Sequence, residues 1–211
     1  KTLFPYTTLF RSPDFGEVNI FTRNPQPGAA LVAELGAAVI DADAISRSTT
    51  AAKGRAIEAI RQQFGQAMIG PDGAMNRQAM RELVFTTPHA RQQLEAIIHP
   101  LVSQITQEQA QQALAAGKHC LVHDVPLLVE SGPRWRAQVD RVLVIDCEPA
   151  TQRERVVARS ALAPDEVDRI MAQQATRAQR LACADLVIFN QSLSLDGLRE
   201  QVRQAARHFG L

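Results

Sequence analysis

From Ala29 onward the apolar positions alternate between helical and strand-like periods. Residues 29–35 read as the end of a helix that Gly36 stops in a left-handed turn, and Ala37 to Ile40 as a short apolar strand. Arg47 to Phe64 keeps a helical period through Ile57, Ile60 and Phe64, and Gly70-Pro71-Asp72-Gly73 is a turn by its glycine and proline content. Asn76 to Phe85 and Pro88 to Ala116 are further helices, the second interrupted at His99-Pro100, where the proline removes a donor and bends the axis. The glutamine-rich stretch Leu101 to Ala116 reads as a solvated face. Cys120 to Leu128 is a buried strand followed by a turn, and Arg141 to Asp146 is a second near-continuous apolar strand; such runs favour a parallel sheet. Pro149 to Arg159 and Pro164 to Arg180 are helices, Leu186 to Phe189 is a strand, and Leu195 to His208 is the closing helix. Strands alternating with helices predict an α/β fold with a doubly wound parallel sheet, whose ligands lie at the carboxyl ends of the strands.

Residues 1–28 break this pattern. They carry five of the ten aromatic residues (Phe4, Tyr6, Phe10, Phe15 and Phe21), whereas the remainder is rich in Ala, Gln and Arg. Thr2 to Ser12 reads as the translation of a sequencing-adapter oligonucleotide and is assigned no element. Asn24-Pro25-Gln26-Pro27 sets two prolines where a helix should open, and a proline inside a helix costs about 3 kcal/mol. Two origins are open: a native proline-rich leader, or a one-base frameshift of codons for Lys-Ser-Thr-Ala, which would suit the end of a phosphate loop. Residues 29–211 form the expected single domain, with 150–182 as a lid region inside it.

At 211 residues and 45% hydrophobic, the chain is long enough for one well-buried soluble domain. A net charge of +1 supplies no general field for a polyanion, so nucleic acid is not expected as a partner and anion binding must come from local arginines. Cys120, Cys147 and Cys183 are odd in number and widely spaced; they read as buried thiols of a cytoplasmic protein rather than disulfides or zinc ligands. No apolar stretch reaches the roughly 18 residues of a membrane span, and no targeting signal is visible.

Three constellations could carry chemistry. Asp41 and Asp43 follow a strand, at the rim where such sheets bind ligands; one of them could accept a proton from an alcohol, or the pair could simply cap a helix. Leu121-Val122-His123-Asp124 is an apolar strand ending in an acid, the arrangement that holds Mg²⁺ through water in many nucleotide-binding folds, or a solvent-facing turn. Arginines far outnumber the three lysines Lys1, Lys53 and Lys118. Arg153, Arg155, Arg159, Arg169, Arg177 and Arg180 fall on two consecutive helices that could fold over a polyphosphate, or present a solvated face paired with Glu154 and Asp165. The phosphate loop G-x-x-x-x-G-K-S/T is not in the chain; Gly117-Lys118 is followed by His119 and a strand.

Six segments occur together in order: Ile40-Asp41-Ala42-Asp43 with Arg47, Ile98-His99-Pro100-Leu101, Asp124-Val125-Pro126-Leu127-Leu128-Val129-Glu130, Arg141 to Asp146, Gln174-Ala175-Thr176-Arg177, and Ala184 to Asn190. From about Ala29 to the C-terminus the chain thereby resembles the dephospho-CoA kinases. The resemblance implies a P-loop kinase-like fold with a helical substrate region and an arginine-bearing helical lid. It also implies transfer of the ATP γ-phosphate to the ribose 3′-hydroxyl of dephospho-CoA, with ATP and dephospho-CoA as partners and Mg²⁺ as cofactor. By the same resemblance Asp43 is the general base. Arg47, His99, Pro126, Leu127 and Glu130 line the acceptor, Arg155, Arg159 and Arg177 come from the lid, and Asn190 lies near the adenine. Asp124 is a possible water-mediated Mg²⁺ ligand. Counting back from Asp43 puts Asn24 and Pro25 where the family's phosphate-loop lysine belongs, so little turnover is expected. Two other functions fit the same residues: a non-catalytic dephospho-CoA-binding protein, and another small-molecule kinase of this fold.

Overall fold

The computed structural model describes residues 16–22, 25–125, 129, 139–159 and 163–208. They divide into two compact units, one holding Asp41–Gln111 and the other the described residues before and after it.

The second unit is built on a five-stranded sheet. Its strands are β1 (Gly16–Thr22), β2 (Ala38–Asp41), β3 (Cys120–Asp124), β4 (Arg141–Asp146) and β5 (Leu186–Phe189), in the order β2-β3-β1-β4-β5. The β1–β3, β1–β4 and β4–β5 pairs are parallel, with Ile20 opposite Asp124 and Asp146 opposite Phe189. β3 is buried at every position and β4 at four of its six, which is why both read as nearly unbroken apolar runs. Helices α1 (Pro25–Glu34) and α9 (Leu195–Arg207) contribute Leu31, Val32, Leu198, Val202 and Ala205 to a core with Cys120, Val122, Leu143 and Ile188. Gly36, at φ 103°, ends α1 in the left-handed conformation, and the Lys118 ammonium donates to its carbonyl at 3.0 Å.

The segment set apart by its sequence supplies the central strand. β1 lies between β3 and β4, and α1 opens at Pro25, so the two prolines do not prevent a helix. Pro25 and Pro27 occupy the first turn, where backbone N–H groups have no partner inside the helix and a missing one costs little.

Two long predicted helices are each two shorter ones. Arg47 to Phe64 divides into α2 (Ala42–Thr49) and α3 (Ile57–Phe64). The hydroxyls of Ser48, Thr49 and Thr50 donate back to the carbonyls of Ile45, Ser46 and Arg47, competing with helix propagation. Lys53 then turns left-handed at φ 62°, and Gly54 approaches so closely that a Cβ there would stand 2.2 Å from the Thr49 carbonyl oxygen. Pro164 to Arg180 divides into α7 (Pro164–Ala172) and α8 (Arg177–Ala182). Here Thr176 and Gln179 form a reciprocal capping box that starts the second helix, a T-x-x-Q signature visible in the sequence. Thr176→Ala is expected to cost about 1 kcal/mol, measured as a lower urea midpoint at unchanged slope.

Conversely, His99-Pro100 does not interrupt its helix. α5 runs unbroken from Pro88 to Ala115 with Pro100 inside it. Ala90, Leu94, Ile98, Val102, Thr106 and Ala110 are buried at every fourth position, so burial on both sides of the proline outweighs one absent hydrogen bond. In the first unit α4 (Arg77–Thr86) is capped by the Asn76 side chain, and the Gly70–Gly73 turn forms as expected, with Gly73 at φ 78°. Completing the elements is α6 (Pro149–Arg159). Cys120 is buried, whereas Cys147 and Cys183 are half-buried, and no disulfide joins them.

Candidate active site

In the first unit, the two acids after β2 part company. Asp41 is the N-cap of α2: its carboxylate accepts from the Ala44 amide at 2.8 Å. Asp43, in the first turn, has only 17% of its side chain exposed and lies 4.0 Å from Arg47 Nη1. Arg47 Nη2 stands 3.7 Å from Asp41, so one guanidinium, itself 59% exposed, spans both carboxylates. The sequence left cap and base as alternatives; the geometry gives the cap to Asp41. His99 is half-buried on α5, with its Nε2 atom buried.

In the second unit the polar groups gather at the carboxyl ends of the strands. Asp124 ends β3 and is 3% exposed, with Oδ1 buried. Asp146 ends β4, its side chain 2% exposed, and takes a 2.7 Å hydrogen bond from Arg177 Nε. Arg177 Nη1 donates to Glu148 at 2.9 Å, and its guanidinium lies 5.4 Å over the Phe189 ring. Asp146 foremost, then Glu148, raises the pKa of Arg177 above its ordinary value. Arg155 donates from Nη1 to the Asn190 carbonyl and from Nη2 to that of Gln191, at 2.9 and 3.1 Å. Gln191 in turn accepts from the Glu148 amide and donates to Thr151.

The sequence reading assigned no role to Asp146, Glu148 or Gln191, although an acid closing an apolar strand was the signal used at Asp124. Arg153 pairs with Asp168 on α7 rather than with Glu154, through two bonds of 2.6 and 3.0 Å. Arg180 is buried and donates to the Ala175 carbonyl. Pro126, Leu127 and Glu130 lie outside the described residues, as do Asn24 and the side chain of Arg159.

A magnesium ion keeps most of its waters and takes one or two carboxylates beside substrate phosphates. Buried Asp124, a hard oxygen donor at the strand end, fits that role; among the described residues no cluster of three acidic, histidine or cysteine side chains could hold a metal alone. His123 beside it is buried, which pushes its pKa down to about 4 and keeps it neutral near pH 7. No described helix is long and apolar enough to cross a membrane.

Comparison with solved structures defines the class. A Thermus thermophilus protein matches with a TM-score of 0.72 at 25% identity, covering 94% of this chain and 98% of that one. Dephospho-CoA kinase from Campylobacter jejuni matches with a TM-score of 0.64 at 22% identity, covering 92% and 96%. The fold is an α/β, P-loop kinase-like one. The CoaE family model, dephospho-CoA kinase, matches residues 28–196. Dephospho-CoA kinase from Albidiferax ferrireducens is 57% identical over 183 residues, 87% of this chain and 86% of the relative. The Bordetella pertussis enzyme is 51% identical over 176 residues, 83% and 80%. The chain belongs to the dephospho-CoA kinase family, phosphotransferases that use ATP and catalyse the final step of coenzyme A biosynthesis.

Proposed function

We propose that this chain carries the family's acceptor site and lacks an effective phosphate-donor loop. In this reading Asp43 accepts the proton of the ribose 3′-hydroxyl as that oxygen bonds to the γ-phosphorus of ATP; the bond to the β–γ bridging oxygen breaks and ADP leaves. Arg47 and His99 position the acceptor with Pro126, Leu127 and Glu130, while Arg155, Arg159, Arg177 and Asn190 serve the nucleotide. Asp124 would hold Mg²⁺ through water; the ion, when bound, neutralises charge on the phosphates. Arg155, already spent on two main-chain carbonyls, would act by shaping the loop around Asn190. Arg177 retains its Nη2 edge for an anion after its bonds to Asp146 and Glu148.

The observation that carries the acceptor reading is the division of labour on α2: Asp41 caps the helix, and Asp43 stands beside Arg47. The donor deficit rests on the β1–α1 connection. Only residues 23 and 24 separate Thr22 from Pro25, too few for a G-x-x-x-x-G-K-S/T loop, which runs six residues from its first glycine to its second before the lysine. Pro25 and Pro27 also remove two of the first-turn N–H groups with which such a helix holds phosphate. The family match beginning at residue 28 supports the same division.

Calorimetry with a panel of acceptors tests this. Dephospho-CoA should bind, nucleoside monophosphates should not, and ATP should bind weakly or undetectably. Preference for a nucleoside monophosphate would instead favour another kinase of this fold. Robust turnover of dephospho-CoA with ATP would overturn the donor deficit, and dephospho-CoA binding without any turnover would favour a binding role.

A further inference from the structure

On α2 and its cap, Asp43, Arg47 and Thr50 follow one another at spacings of four and three residues, and so share one helical face. That stripe is about 10 Å long from end to end. A second arginine reaches its far end: Arg77, the first residue of α4, donates from Nη2 to Thr50 Oγ1 at 3.1 Å. Thr50 Oγ1 donates in turn to the Arg47 carbonyl at 3.2 Å. The other ion pairs of this unit neutralise their arginines locally, Arg55 on Glu108, Arg61 on Glu58 and Arg91 on Glu95. Arg77 differs. Its side chain is held by a neutral hydroxyl, and among the described residues it has no carboxylate partner. A guanidinium that is oriented but not neutralised is well suited to an anion, through the fork that matches phosphate oxygens.

Resting on the acceptor reading above, we infer that Arg77 and Arg47 together bind the 5′-diphosphate of dephospho-CoA, with Thr50 orienting Arg77. The 3′-hydroxyl and the 5′-diphosphate hang from the same ribose, so a site that offers the hydroxyl to Asp43 meets the diphosphate within the length of this stripe. Arg47 is already shared between Asp41 at 3.7 Å and Asp43 at 4.0 Å. Arg77 supplies the unspent charge and makes diphosphate recognition separable from proton abstraction. A plainer role exists: a cation at the end of α2 also balances the partial negative charge of a helix C-terminus. That role would change stability and leave affinity alone.

The test is calorimetric titration of dephospho-CoA into the full chain and its Arg77→Ala and Arg77→Lys variants, with a parallel competition by inorganic pyrophosphate and a melting curve for each. Arg77→Ala should weaken dephospho-CoA binding roughly 10- to 100-fold, the range of one charge-assisted contact. Arg77→Lys should recover part of the loss, and pyrophosphate should displace dephospho-CoA from the parent chain far better than from Arg77→Ala. Unchanged affinity and unchanged pyrophosphate competition in a folded Arg77→Ala chain would overturn the inference while leaving the acceptor reading in place. Failure of the parent chain to bind dephospho-CoA would overturn both.

Discussion

Replacing residues 13–28 with a strand, a G-x-x-x-x-G-K-S/T loop and a helix opening should raise dephospho-CoA turnover at least 10³-fold over the present chain. Removing one preorganised donor from a site of developing charge typically costs about 10²- to 10³-fold, and the donor deficit proposed above takes away a lysine, a hydroxyl and several amides together. The effect should appear mainly in the use of ATP, because Asp43, Arg47 and His99, proposed above to serve the acceptor, lie in the other unit and are untouched by the exchange. In the exchanged chain, Asp43→Asn should then remove most of what was gained, by roughly 10²- to 10⁴-fold in kcat, with little change in dephospho-CoA affinity. A coupled ADP-release assay on both chains decides the matter. Equal rates before and after the exchange would show that the donor site does not depend on the loop, and the deficit argued from Pro25 and Pro27 would fall.

Acid should weaken the fold through one histidine. His123 sits on the buried strand β3 and is 2% exposed, with Nε2 buried and unbonded among the described residues. Burial lowers its pKa from an ordinary 6.5 to about 4. Between those two values the unfolded chain binds the proton and the folded chain does not, so stability rises with pH across this window. The contribution is fully present above pH 6.5 and is lost as pH falls towards 4; the difference amounts to about 3 kcal/mol. Urea midpoints from pH 7 to pH 4 should therefore fall more steeply for the parent chain than for His123→Leu, which has no proton to take up at that position. Carboxylates contribute a slope of their own, and comparison of the two chains removes it. Parallel profiles would show that His123 is protonated in the native state at no cost.

The order of the elements was readable because each strand is a short, continuous apolar run and each helix an amphipathic one, signals that need no knowledge of neighbours. β4, β5 and α6 carry the boundaries expected of them. Errors fall where a local preference competes with another or with burial. Helical period carried the reading across residues 50–56, although the hydroxyls of Ser48, Thr49 and Thr50 turn back on the helix there. At Pro100 local breaking was expected, but the buried stripe from Ala90 to Ala110 keeps the helix whole. The split between α7 and α8 is legible in the sequence as a T-x-x-Q capping box at Thr176 and Gln179.

What the sequence by itself determined was membership of a family, carried by segments whose order and spacing make the resemblance, and the candidates for its site: the acids after the strands and the arginines of α6, α7 and α8. Such signals are local in the chain, and local chemistry survives without a partner. Tertiary structure decided that Gly16–Thr22 takes the centre of the sheet, that Arg177 is bound to Asp146 across 31 residues, and that Arg77 reaches the face carrying Asp43. Each of these joins groups from separate elements, and a hydrogen bond of about 3 Å between them exists only once packing has fixed both backbones.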